Sequence, residues 1–228
     1  MLADAYLRHG DYRHVPDELL RPGARIGYLV AMIAGLQADV IGLQEAEPPL
    51  VHELSRVRAW QVFWTQKEEA PDGCLTLVKK NLSVRGFNGY HYADGSGHVL
   101  QMLTVDGILI ANTHIKWELQ ARLAQTRALL DCIGSAQKAV ILADCNDRPG
   151  GPARELVTAA GFMNVPGDTP TAFIANRDGP AALDLLAVRG LTARPVLLRM
   201  GEDFQLSEIP SPRCPSDHIP VVAHIKAP

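Results

Sequence analysis

Polar clusters stand at the ends of apolar runs in this chain: Gln44-Glu45, Asn112-Thr113-His114, Asp144-Cys145-Asn146 and Ser216-Asp217-His218. The stretch AVILADCNDRP, from Ala139 to Pro149, shows the pattern most clearly. Its apolar start suits a buried strand, and the polar turn that follows would sit at the edge of a sheet on a rigid support. Side chains at i and i+2 of a strand share a face, which predicts that Asp144 and Asn146 point together and Cys145 points away. A carboxylate able to take a proton from water, beside an amide able to hydrogen-bond an oxyanion, is a hydrolytic pair. The same residues also suit a simple Asx-rich turn. Glu45 reads equally as a solvated strand end, His114 as a hydrogen-bonded sheet histidine, and Asp217-His218 as a turn. Asp184, inside the apolar run Leu183–Val188, is harder to dismiss, because a buried carboxylate is costly unless paired.

The elements that would carry these residues follow from periodicity. A helical stripe runs from Arg25 to Leu36, through Ile26, Leu29, Val30, Ile33 and Leu36. A strand at Val40–Leu43 stops at Gln44-Glu45. A helix is predicted over Leu50–Val57, with strands at Gln61–Thr65 and Cys74–Val78. Two apolar runs between Val99 and Thr113 flank Asp106-Gly107, a strong hairpin signal. Glu118–Ile133 reads as an amphipathic helix with Leu119, Leu123, Leu130 and Ile133 inward and Gly134 as its cap. A further helix starts near Pro152 and stops before Gly161. Strands are then expected at Leu183–Val188, Val196–Leu198 and Val221–Ile225, with a polar loop between the last two. Hairpins mixed with helix-linked crossovers fit an α/β sandwich of two packed sheets better than a doubly wound parallel sheet.

Composition bounds the function classes. The 228 residues fit a single domain, 1–228, and 47% hydrophobic with 21% charged residues is ordinary for a globular protein. A net charge of −3 gives no global basic footprint, so tight non-specific binding to long duplex is not expected. The four cysteines form no Cys-x-x-Cys pair and no leader is visible, which predicts reduced thiols, a cytoplasmic protein and no disulfide-linked partner. No apolar run approaches a membrane span. Gly-rich phosphate loops of the dinucleotide or Walker type are absent.

The order of Gln44-Glu45, Asn112-Thr113-His114, Asp144-Cys145-Asn146, Leu183-Asp184-Leu185 and Ser216-Asp217-His218 resembles the endonuclease/exonuclease/phosphatase superfamily. Leu2-Ala-Asp-Ala-Tyr6, Asp72-Gly-Cys74, His114-x-x-Trp117, Thr171-Ala-Phe173 and Pro215-Ser-Asp-His218 narrow the resemblance to nocturnin and the poly(A) deadenylases. The resemblance implies a four-layer α/β/β/α sandwich of two mixed sheets and a Mg²⁺-dependent phosphoesterase, with Mn²⁺ able to substitute. Its substrate would be a nucleotide, a short single-stranded nucleic acid or another small phosphorylated molecule. Glu45 would bind the metal, with Asp217 sharing it or acting through water. His114 and His218 would contact the scissile phosphate, Asp184 would orient His218, Asp144 would activate the water, and Asn146 would hold water and phosphate oxygens. Phe173 matches a base-stacking position, with core packing as its alternative. Lys116 and Trp117 would line the same cleft or stand as solvated surface.

The chain departs from the deadenylase pattern in lacking the longer acidic insert after Trp117, in Ala143 where the family has Gly, and in Leu185 where an aromatic is usual. The resemblance also places a strand ahead of Leu2-Ala-Asp-Ala-Tyr6, ending in an Asn that helps hold metal and phosphate. The expectation is therefore that the native start lies further upstream, and that residues 1–228 alone carry a strand-wide gap in one sheet. A catalytically impaired binding or scaffold protein is the alternative function.

Overall fold

The computed structural model describes residues 1–8, 12–174, 179–198, 200–201 and 204–227. Part of the opening loop and part of the polar loop after Leu198 lie outside the described residues. In chain order the elements are α1 (Ile26–Gly35), β1 (Val40–Ala46), α2 (Pro48–Ser55), β2 (Trp60–Gln66) and β3 (Gly73–Lys79). Next come β4 (Val84–His91), β5 (Val99–Val105), β6 (Ile108–His114), α3 (Leu119–Ile133), β7 (Ala139–Asp144) and α4 (Pro152–Ala159). The chain continues with β8 (Met163–Asn164), β9 (Ala172–Ile174), β10 (Gly179–Ala181), β11 (Asp184–Arg189), β12 (Thr192–Val196) and β13 (Val222–Lys226).

A six-stranded sheet has the order β4-β5-β6-β7-β11-β8, and a three-stranded sheet the order β1-β3-β2. Two small antiparallel pairs, β9 with β10 and β12 with β13, complete the set. Within the large sheet β6 and β7 run parallel, joined by α3, and the other pairings are antiparallel. Strand alternation sorts the side chains into layers. Ile141 and Ala143 of β7 pack with Leu129 and Ile133 of α3 and Val157 of α4. Val140 of β7 faces the other way, onto Val78 of β3 and Leu103 of β5. On the far side Leu75 and Leu77 of β3 pack with Leu29 and Ile33 of α1 and Leu50 and Leu54 of α2. Helix, sheet, sheet and helix layers thus enclose three apolar seams, which is the expected four-layer sandwich.

The two sheets are fastened by a buried polar network. Gln44 donates to Asn112 Oδ1 at 2.7 Å, and Asn112 Nδ2 donates to Leu75 O at 3.1 Å and Thr76 Oγ1 at 3.1 Å. Thr76 donates to Gln101 Oε1 at 2.7 Å, and Gln101 Nε2 donates to Phe63 O at 3.0 Å. A Cβ at Gly42 would stand 2.9 Å from Leu142 and 3.1 Å from Asn112, so only glycine allows this approach of the sheets.

The hairpin forms as expected, with Asp106 at φ 46° and Gly107 at φ 82°, both left-handed as a type I′ turn requires. Other expectations need correction. The buried face of α3 is Gln125, Thr126, Leu129 and Ile133, while Leu119 is 46% exposed. Gln125 can be buried because its amide accepts from Lys116 N–H at 2.8 Å and donates to Asp94 at 2.7 Å and Ser96 at 2.9 Å. The strand expected at Val196–Leu198 lies earlier, as β12, in register with β13, and Leu197 is 90% exposed. Asp184 is not inside its strand: it opens β11, directly opposite Asp144 at the end of β7.

Among the described residues β1 pairs on one side only, with β3, and β13 on one side only, with β12. Val40–Gln44 and Val221–Ile225 line one groove of about 510 Å³ between these two free edges.

Candidate active site

The clusters converge because their strands end at the same rim. His114 closes β6 and Asp144 closes β7, and the parallel register sets them side by side. Asp184 opens β11 opposite Asp144. Glu45 arrives from the other sheet on a bulge in β1 between Leu43 and Ala46, with φ 60°. A non-glycine residue in this region is strained, and bulges re-aim side chains at sites. The Asp217-His218 loop is attached by an isolated bridge between His218 and Ala172 of β9.

His218 Nδ1 lies 2.9 Å and 3.2 Å from the two Asp184 oxygens, and its Nε2 is 3.7 Å from Asp144 Oδ2. His114 Nε2 stands 3.6 Å from the same Asp144 oxygen. Asp144 is therefore flanked by two imidazoles. Asn146 does not share a strand face with it, because β7 stops at Asp144. Instead Asn146 takes φ 49°, its N–H donates to Asp144 Oδ1 at 3.0 Å, and its side chain swings round to His114. Asn146 Nδ2 lies 3.1 Å from His114 Nε2 and donates to Ile115 O at 2.9 Å. Cys145 points away as expected, its thiol donating to Leu183 O at 2.9 Å.

The environments push the two histidines apart. Burial alone would lower the His218 pKa, but the Asp184 and Asp144 carboxylates carry it up to about 10. Burial, Lys67 and His98 hold His114 well below its ordinary value. Asp144 is raised by burial. Asp184 is also buried, yet the imidazolium beside it keeps its pKa lowered. A cationic His218, a neutral His114 and a basic carboxylate between them are a division of labour suited to acid–base chemistry.

Glu45 accepts from Ala3 N–H at 3.0 Å, and burial followed by repulsion from Asp217 raises its pKa to about 7, against the pull of the N-terminal amine. Asp217 accepts from the Tyr12 hydroxyl at 3.1 Å through Oδ2, while its buried Oδ1 has no hydrogen-bond partner. Among the described residues no three His, Cys, Asp or Glu side chains form a preformed metal cage. Mg²⁺ does not need one, since it binds through one or two carboxylates and keeps several waters. Two mutually repelling carboxylates, one with an orphaned oxygen, are all-oxygen donors that fit such a hard cation.

Phe173 is half-buried, edge-on to His14 with ring centres 5.9 Å apart, and its N–H donates to Asp217 O at 2.9 Å, which seats it beside the site. Lys116 turns to Glu118 at 3.6 Å, and Trp117 is 58% exposed.

Several site residues carried no sequence signal. Lys67, buried in the turn after β2, pairs with buried Asp72 at 2.7 Å and lies 3.5 Å from His114 Nδ1. Tyr6 donates to the same Asp72 at 2.6 Å. Thr171 Oγ1 accepts from Asp184 N–H at 3.3 Å, and Arg154 grips Asp184 O at 3.1 Å and Ala182 O at 2.7 Å. Arg122 reaches Asn146 O and fixes the turn. Arg25 donates to Leu2 O at 2.9 Å and Pro215 O at 3.0 Å, tying the opening segment to the Asp217 loop. Of these, Asp72, Tyr6 and Thr171 stand within the quoted motifs Asp72-Gly-Cys74, Leu2-Ala-Asp-Ala-Tyr6 and Thr171-Ala-Phe173, without a stated role.

The large sheet is mixed but the three-stranded sheet is wholly antiparallel, not the second mixed sheet expected, and the two packed sheets with carboxylates and histidines gathered at one rim define a class of α/β sandwich. The profile of the Endonuclease/Exonuclease/phosphatase family matches residues 8–218, and the chain belongs to that family. Among solved structures it is similar to ANGEL2, a 2′,3′-cyclic phosphatase, with a TM-score of 0.79 and 18% identity over 98% of this chain and 92% of that one. The human nocturnin catalytic domain with bound sulfate gives 0.71 and 18% identity, over 92% and 89%. Truncated TDP2 from Caenorhabditis elegans gives 0.67 and 18% identity, over 89% and 90%. A search of curated proteins by sequence gives no match.

Proposed function

We propose that the chain is a Mg²⁺-dependent phosphoesterase acting on a phosphodiester or phosphomonoester of a nucleotide, short oligonucleotide or small phosphorylated metabolite. The observation that carries this reading is Asp144 set between a cationic and a neutral imidazole, His218 and His114, at 3.7 Å and 3.6 Å. Water held by Asn146 and Asp144 attacks phosphorus, and its proton passes to Asp144. Negative charge growing on the phosphoryl oxygens meets the His218 imidazolium and the Asn146 amide, already in place and partly shielded from water. Asp184 keeps His218 charged and oriented throughout. His114, neutral, offers a hydrogen bond without competing for the proton. Glu45 and Asp217 would hold the Mg²⁺, which when bound acts as a Lewis acid toward the phosphate. The bond from phosphorus to the leaving oxygen then breaks. Phe173, beside the Asp217 loop, would stack on a nucleobase, an interaction of about 1–3 kcal/mol. The ANGEL2 structure solved with adenosine-2′,3′-vanadate supports a nucleotide component.

The test is divalent-ion-dependent release of 4-nitrophenol from bis(4-nitrophenyl) phosphate, followed by a panel of adenosine 2′,3′-cyclic phosphate, NADPH, short oligo(A), cyclic dinucleotides and inositol phosphates. Hydrolysis lost in Asp144→Asn supports the reading. No turnover of any of these with Mg²⁺ or Mn²⁺ would leave a binding protein instead.

A further inference from the structure

Asp217 is fixed through its backbone and through one of its two carboxylate oxygens. Its carbonyl accepts from Phe173 N–H at 2.9 Å, and the next residue closes the turn, His218 N–H donating to Ser216 Oγ at 3.0 Å. Two residues earlier, Pro215 O accepts from Arg25 at 3.0 Å. In the side chain, Oδ2 accepts from the Tyr12 hydroxyl at 3.1 Å, while Oδ1 is buried and has no hydrogen-bond partner. A buried carboxylate oxygen left unanswered is costly and calls for a ligand to explain it. Glu45 shows the same asymmetry. Its Oε2 accepts from Ala3 N–H at 3.0 Å, and its Oε1 has only a long approach, 3.9 Å, to His114 Nδ1. Each acid thus keeps one oxygen for a ligand and has the other engaged by the opening segment.

Tyr12 is held in place by packing around it. Val15 N–H donates to Tyr12 O at 2.8 Å, closing a turn, and the side chains of Val15 and Leu19 are buried beyond it. His14 Nε2 donates to Ile209 O at 3.0 Å and fixes the other side of the same turn. Burial and the Asp217 carboxylate raise the Tyr12 pKa, so the phenol stays protonated and donates.

We propose that Tyr12 sets the cation selectivity of the site: by occupying Oδ2 it leaves Asp217 one oxygen, Oδ1, with which to ligate a metal. The inference rests on the proposed reading of Glu45 and Asp217 as the metal carboxylates, and adds the residue that decides which cation they prefer. Mg²⁺ demands near-ideal octahedral geometry at about 2.0–2.1 Å, which a two-oxygen bite from one carboxylate distorts. Ca²⁺, with six to eight ligands at about 2.3–2.6 Å, accepts such a bite readily. A hydroxyl seated on the second oxygen therefore penalises Ca²⁺ and leaves Mg²⁺ untouched. Tyr12 acts through Asp217 and is a positioning residue.

The experiment titrates the full chain with MgCl₂ and with CaCl₂ by calorimetry, in the absence of substrate. Wild type is compared with Tyr12→Phe, which removes only the hydroxyl, and with Leu19→Ala, which loosens the opening segment without touching Asp217. In Tyr12→Phe the ratio of Mg²⁺ to Ca²⁺ affinity should fall roughly tenfold, with Ca²⁺ binding as tight as before or tighter. Leu19→Ala should lower the melting temperature and weaken both ions in proportion, leaving the ratio where it was. An unchanged ratio in Tyr12→Phe, or an equal shift in Leu19→Ala, would overturn the inference while the metal reading stands. A Glu45→Gln control separates the two: if wild type binds neither ion, or binds both as well after that substitution, the metal reading itself falls and takes the inference with it.

Discussion

Replacing Asp184 by Asn tests the electrostatics of the site most directly. The carboxylate lies 2.9 Å and 3.2 Å from His218 Nδ1, and the next acid, Asp144, stands 3.7 Å from Nε2. Together they bring a buried imidazole from 6.5 up to about 10, a preference for the charged ring of roughly 3–5 kcal/mol. Asp184 heads the causes that oppose burial, so the substitution should remove at least about 3 kcal/mol of that preference and lower the His218 pKa by about two pH units. At pH 9 the wild-type ring is still mostly protonated, whereas the variant ring would be mostly neutral. Turnover that depends on the imidazolium should therefore fall roughly tenfold at pH 9 relative to its value at pH 6.5. The stability sign follows from the same numbers. A pKa raised on folding contributes stability in full below about 6.5 and loses it as pH rises through about 10. The variant should thus melt earlier than wild type near pH 6, with the gap closing toward pH 10. Titration of the His218 ring nitrogens by NMR and the pH profile of 4-nitrophenol release measure the two consequences independently. An unchanged His218 pKa, or an alkaline limb that stays in place, would refute the pairing.

Further outcomes follow from other parts of the site and fold. Burial and Asp217 raise the Glu45 pKa to about 7, so Mg²⁺ binding there as proposed would displace a proton; the affinity, by calorimetry, should rise with pH up to about 7 and drop sharply in Glu45→Gln. Asp144→Asn keeps the shape and removes the base, lowering kcat by roughly 10²–10⁴-fold with little change in KM, as steady-state kinetics would show. Leu129→Ala opens the seam between α3 and the large sheet and should cost about 2–5 kcal/mol in denaturant unfolding, without altering the pH profile.

What was legible in the sequence follows physical rules. β1 and β7 could be read because a short apolar run between layers must end where polar side chains reach solvent. Glu45, His114 and Asp144 were found as carboxylates and an imidazole at those ends, and Asp184 as a charge inside an apolar run. β4 left no such mark: VRGFNGYH is exposed along most of its length, interrupted by Gly86 and Gly89, and held by pairing with β5 rather than by burial. The α3 face was misjudged because Gln125 and Thr126 are polar residues whose hydrogen bonds let them be buried. Lys67 was invisible because it is made compatible with burial by Asp72, a partner brought alongside by the turn between β2 and β3. The geometry of Asn146 could not be derived from alternation, since its left-handed backbone has already left the strand.

Gln44 and Asn112 join the two sheets, and each is a close chain neighbour of a site residue, Glu45 and His114. Sliding one sheet over the other would unmake a chain of buried hydrogen bonds from Gln44 through Thr76 to Gln101, each broken group costing on the order of 1–3 kcal/mol. The relative position of Glu45 and His114 is thus a property of the folded state, settled once when the sheets dock. The entropy of bringing an oxygen donor and an imidazole from opposite halves of the molecule to one rim is spent during folding. It does not recur as a barrier each time a substrate arrives.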